Sequence, residues 1–140
     1  MKKISILIVA MISMGIVSFS SCKKGKDDVV ISQPSRKNLI VNTWVIKKYI
    51  ENGEDISNEM LPLLADYTWQ FRKDGTYELL INGDRETGTW TMDSNEENLE
   101  LLIDGSIVPD TLKILRLNST EMRLMIDYYA SKIELHYKPK

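Results

Sequence analysis

The chain has one cysteine, one histidine and two phenylalanines in 140 residues. A single cysteine excludes an internal disulfide. With one histidine beside it, a zinc site built from His and Cys is short of ligands. A Cys–His or Ser–His dyad has one candidate base and no nucleophile elbow. Glycine (7) and proline (4) are not enriched, and there is no low-complexity segment, so the domain is expected to be ordered. The longest apolar run, Ile4 to Val17, is shorter than the roughly 20 residues a helix needs to cross a bilayer. Basic charge is scarce too. Without the leader, which carries Lys2 and Lys3, 16 basic and 20 acidic side chains remain, a formal charge of −4. That argues against nucleic acid, whose phosphates require a basic patch.

The amino-terminal segment carries an address. Met1-Lys2-Lys3, a short apolar run and small residues make a secretory signal, residues 1–21, to be set aside from the fold. Phe19-Ser20-Ser21-Cys22 follows and resembles a bacterial lipobox, with Phe19 where the common pattern has Leu, Val or Ile. The resemblance implies cleavage before Cys22 and acylation of that residue, palmitate-type chains included. Several buried chains suffice for stable anchoring without a membrane-spanning helix. Residues 22–35 read as a solvated tether ending near Pro34. Within it, Lys26, Asp27 and Asp28 resemble the acidic export signals of surface lipoproteins in Bacteroidetes. The expected location is therefore the bacterial outer membrane, lipid-anchored, facing the periplasm or the cell surface.

Residues 36–140 suffice for one small domain. Its clearest signal is Tyr67 to Met92. Tyr67, Trp69 and Phe71 alternate with Thr68, Gln70 and Arg72, a period of two that marks a strand with one buried face. Lys73-Asp74-Gly75 supplies a turn in which Gly75 takes positive φ at little steric cost. Thr76 to Ile81 returns, and Asn82-Gly83-Asp84 opens a turn of about five residues before Gly88-Thr89-Trp90-Thr91-Met92. Upstream, Leu39 to Ile50 reads as the first strand, Trp44 and Ile46 sharing a face until Lys48 breaks the pattern. A short helix is expected near residues 57–65, limited by Pro62 and covering one end of a barrel.

Downstream, four further strands carry Leu99, Leu101 and Ile103; Leu112 and Ile114 opposite Leu115 and Leu117; Met122, Leu124, Ile126 and Tyr128; and Ile133, Leu135 and Tyr137. The fold class is all-β: an eight-stranded antiparallel up-and-down meander. Such a meander closes into a barrel, which removes exposed edges, or splits into a two-sheet sandwich.

Trp44, the stretch Phe71-Arg72-Lys73-Asp74-Gly75-Thr76-Tyr77, Gly88-Thr89-Trp90 and the paired strands through Ile126 resemble the lipocalin-like lipoproteins of Bacteroidetes. The resemblance spans about Leu39 to Lys138 and implies a lipocalin-like barrel. It departs from true lipocalins at Asn42-Thr43-Trp44, where they have Gly-x-Trp, and in lacking a match for their late arginine.

Candidate sites follow. Trp44, Trp69, Phe71, Tyr77, Trp90 and Met92 fall on inward-facing positions and would line a pocket for a small hydrophobic ligand or fill a dry core. His136 is expected on the surface of the last strand. Asp93, Glu96 and Glu97 read as a solvated hairpin loop rather than a calcium site. No catalytic residue, metal or cofactor is implied, and the chain is not expected to be an enzyme. Two functional classes remain: a lipid-anchored carrier of a small hydrophobic ligand, or an accessory module with a filled barrel. The second would show its loops, Ile107-Val108-Pro109 among them, to an envelope protein or glycan.

Overall fold

The computed structural model describes residues 34–140. Signal segment 1–21, Cys22 and the Lys26-Asp27-Asp28 element lie outside the described residues. Helix α1 spans Arg36–Ile40. The strands are β1 (Thr43–Glu51), β2 (Glu54–Asp55), β3 (Thr68–Phe71), β4 (Thr76–Ile81), β5 (Asp84–Met92), β6 (Asn98–Ile103), β7 (Asp110–Leu117), β8 (Met122–Tyr128) and β9 (Ser131–Pro139). Helix α2 (Ser57–Met60) runs into a 3-10 turn at Leu61–Leu63, with Pro62 in its first turn, where a missing N–H costs little.

Every neighbouring strand pair is antiparallel, and β9 pairs back onto β1 from Trp44↔Pro139 to Glu51↔Ile133. That last ladder closes β1 and β3 to β9 into an eight-stranded barrel, which excludes the sandwich. The two-residue β2 is an appendage, folded back onto the end of β1 by Asn52-Gly53. Asn52 (φ 49°) and Gly53 (φ 87°) are both left-handed, as are Asn82 (φ 52°) and Gly83 (φ 87°). Paired positive φ gives the tight turn whose twist matches a hairpin. The Asn82-Gly83 turn is therefore two residues long, not five, because Ile81 pairs directly with Asp84.

Two bulges set which side chains point inward. In β1, the register slips between Ile46 and Lys48. Trp44 and Ile46 face the interior before it, and Tyr49 after it. A bulge inserts one residue and so reverses the phase of everything beyond it. The same happens in β7 between Ile114 and Arg116. Leu117 consequently joins Leu112 and Ile114 in the core, while Leu115 is exposed. The expectation that Leu115 and Leu117 share a face is thus corrected: simple alternation does not survive the extra residue.

The first strand also begins later than its pattern suggested. Leu39 and Ile40 end α1, capped by the Ser35 hydroxyl, which accepts from the Asn38 N–H at 3.4 Å. Ile40 is fully buried, and its carbonyl accepts from Trp44 Nε1 at 2.8 Å. Arg36 fastens the helix to the β5–β6 loop, its Nη1 donating to the Glu96 carbonyl at 2.8 Å and its backbone N–H to Glu96 Oε2 at 3.0 Å. Helix α1 thus plugs one end of the barrel. Helix α2 sits at the other end. Ser57 there donates from both N–H and hydroxyl to Asp55, and Lys48 Nζ lies 2.9 Å from the same carboxylate. The Ser57 hydroxyl first, then Lys48, hold Asp55 down to about 2.

Candidate ligand cavity

The two ends of the barrel are filled differently. At the plugged end, Ile40, Trp44, Phe71, Leu99, Met122, Leu124 and Tyr137 pack with little or no solvent access. Trp69 stacks on Phe71 (5.4 Å between centroids, 7° between planes), and Phe71 meets Trp90 edge-on at 5.9 Å. Trp90 Nε1 donates to the Arg72 carbonyl at 3.0 Å, and its N–H to the Gly75 carbonyl at 2.8 Å. The turn Arg72 to Gly75 and the Gly88-Thr89-Trp90 segment are therefore one structural unit, which is why both pieces stand out in the sequence.

At the other end, a cavity of about 420 Å³ opens among the ends of β3 to β8. Its wall is Trp69, Tyr77, Leu79, Leu101, Leu112 and Ile126, with Ile103 and Pro109 nearer the rim. Glu86, Asp110, Asp127 and Tyr128 border the opening. A shallower cleft of about 570 Å³ adjoins it along the β4–β5 hairpin and shares Leu79, Glu86 and Ile103. The inner cavity falls within the roughly 300–1,000 Å³ of small-molecule sites, and its lining is of their type: apolar with a few polar groups.

Of the six aromatic and methionine candidates, Trp69 and Tyr77 line this cavity. Trp44 and Phe71 pack in the core towards the plugged end, whereas Trp90 and Met92 border a groove of about 380 Å³ between α1 and the Lys73–Gly75 turn. Trp69 is held by its Nε1, which donates to the Tyr137 hydroxyl at 3.1 Å. Complete burial pushes the Tyr137 phenol well above its ordinary range. Tyr77 lies across Gly88 and donates its hydroxyl proton to Glu86 Oε1 at 3.0 Å. Burial first, then that hydrogen bond and the charges of Glu86, Asp110 and Asp104, push the Tyr77 phenol far above its ordinary value.

Glu86 and Asp110 are lining residues that reading the sequence missed. The signal was present: each stands two residues before an inward-facing position, Gly88 or Leu112, and so shares its phase. Placing Glu86 in a five-residue turn hid it.

His136 is corrected as well. It faces away from the interior, between Leu135 and Tyr137, yet is only 6% exposed. Its ladder partners are the long side chains of Lys48 and Arg123, which shield the ring, and Nε2 donates to Glu134 Oε1 at 2.6 Å. The acidic β5–β6 loop is occupied with its own backbone. Asp93 accepts from the N–H groups of Glu97 (2.8 Å) and Asn98 (3.2 Å) and from Asn98 Nδ2 (2.8 Å), bonds that hold its carboxyl below the usual range.

A closed eight-stranded barrel, plugged at one end and opening on an apolar cavity at the other, has the architecture of small-ligand-binding barrels. The profile of the lipocalin-like domain matches residues 40–124, so the chain belongs to that family. Two solved structures from Bacteroides are similar. One is a DUF4847 family protein from Bacteroides vulgatus, 15% identical, covering 76% of this chain and 99% of its own, with a TM-score of 0.55. The other is a lipocalin-like protein from Bacteroides uniformis, 12% identical, covering 72% and 98%, with a TM-score of 0.46. No curated protein matches the chain.

Proposed function

We propose that this protein is a lipid-anchored barrel of the bacterial outer membrane that carries a small hydrophobic ligand in its open end. The cavity walled by Trp69, Tyr77, Leu79, Leu101, Leu112 and Ile126 is the observation that supports it. Phe19-Ser20-Ser21-Cys22 supports the anchor. Helix α1, the first described element, lies at the end of the barrel opposite the opening. Binding rather than catalysis is the reading, since His136 is tied to Glu134 on the outer face, away from the cavity.

The test is native mass spectrometry on residues 24–140, secreted without lipid and purified gently. This segment contains the compact unit Ser32–Lys140, whose closed sheet and core come from its own elements. An extra mass released by organic solvent is expected. Fatty acids or lipids added to the emptied protein should shift its tryptophan emission, Trp69 being the tryptophan that lines the cavity. A bare mass with emission unmoved by any of them counts against the carrier. It would favour an accessory module presenting Ile107 (95% exposed) and Val108 (68% exposed) to an envelope protein or glycan.

A further inference from the structure

The wall of the cavity is apolar, but the ionisable groups at its opening are all of one sign. Glu86 and Asp110 occupy inward-facing positions of β5 and β7, and Asp127 borders the same opening. Asp104, beyond the end of β6, lines the adjoining cleft. No lysine, arginine or histidine is among the residues lining the inner cavity. Two cations stand close by: Arg85, which lines the adjoining cleft with Asp104 and pairs with Glu78 at 3.5 Å, and Lys132, which lies across the ladder from Asp127 on the same face. Asp110 makes no side-chain hydrogen bond or ion pair among the described residues. Glu86 has one oxygen on the Tyr77 hydroxyl. Glu86 is half-buried, Asp110 and Asp127 are exposed at the rim, and none of the three is ion-paired among the described residues, so they put negative potential at the opening. The upward push on the Tyr77 phenol from Glu86, Asp110 and Asp104 is the same field felt by a group already in the cavity.

We propose that the ligand is an amphiphilic cation: an apolar chain or ring system in the cavity with a protonated amine held at the opening between Glu86 and Asp110. Tyr128 stands at that opening, its ring edge-on to Tyr129 at 4.7 Å, and supplies an aromatic face to an ammonium. A fatty acid of the same length would place its carboxylate against like charge, which discriminates against it. The inference rests on the carrier reading above and narrows it to one ligand class.

The experiment compares three probes of one chain length at pH 7: decylammonium, decanoate and decan-1-ol. Each is titrated into the 24–140 protein, followed by tryptophan emission and calorimetry. Decylammonium should bind about tenfold more tightly than either of the others, or better, as expected for an ammonium within a few ångströms of a carboxylate. In the Glu86→Gln/Asp110→Asn variant that preference should vanish, decylammonium binding no more tightly than decan-1-ol. If the double variant does not fold, Asp110→Asn alone carries the test, since its carboxylate holds nothing else in place; there the preference should fall several-fold. Decanoate or decan-1-ol binding as tightly as decylammonium overturns the cation inference and leaves the carrier standing. So does a preference that survives the substitutions. Binding of none of the three overturns the carrier and this inference together.

Discussion

Replacing Gly88 with alanine tests the link between the Gly-x-Trp segment and the cavity. A Cβ at this position would lie 2.2 Å from the Leu102 carbonyl oxygen, 3.0 Å from its carbon and 2.8 Å from Tyr77 Cε1. The tyrosine ring has some freedom to swing, but the carbonyl belongs to β6, paired with β5 through Gly88↔Ile103 and Thr89↔Leu102. Relief therefore requires the β5–β6 ladder to part. Overpacking a filled interior costs about 1–3 kcal/mol, and a clash with backbone belongs at the upper end. For a domain of this size, about 3 kcal/mol corresponds to a fall in Tm of roughly 12 °C or more. Thermal unfolding of the 24–140 protein, followed by circular dichroism, measures it. A Tm within about 2 °C of the parent would refute the steric account and imply that the strand has room the geometry denies it.

Ile40→Ala should cost about 2–5 kcal/mol in chemical denaturation, the range for emptying a filled core site; a change under 0.5 kcal/mol would mean that α1 is not part of the folded core. Asp55 makes a pH-dependent contribution. Its carboxyl is depressed to about 2 in the folded state, so the stability it adds is fully present above its ordinary value and is lost as pH falls through the folded one. Asp55→Asn should therefore melt below the parent at pH 7, with the gap closing between about pH 4 and pH 2; a gap that does not change with pH would remove Asp55 as its source.

Local chemistry carried much of the fold in plain view. Alternation at Tyr67 to Phe71 and Ile133 to Tyr137, Asn-Gly turns whose positive φ suits only a few residues, and Pro62 near a short helix are all set by neighbours along the chain. They determined strands, hairpins and the all-β class before any tertiary contact was known. What alternation could not show was the phase beyond a bulge. Leu117 turned inward because β7 takes one extra residue against β8, a fact of pairing rather than of either strand alone. Closure of β9 onto β1 was likewise a choice among partners distant in sequence.

The site divides along the same line. That aromatic residues at inward positions would gather was legible from their spacing; which of them fill the core and which face a void was not. Helix α1 and Trp44 plug one end, so Phe71 and Trp44 are spent on packing, while their ladder partners Tyr77 and Trp69 border the cavity. Sequence by itself determined the strands and their buried faces as far as each bulge. Only the tertiary structure decided where the cavity lies and that Glu86 and Asp110 stand at its mouth, because burial in a closed barrel depends on what the opposite wall supplies.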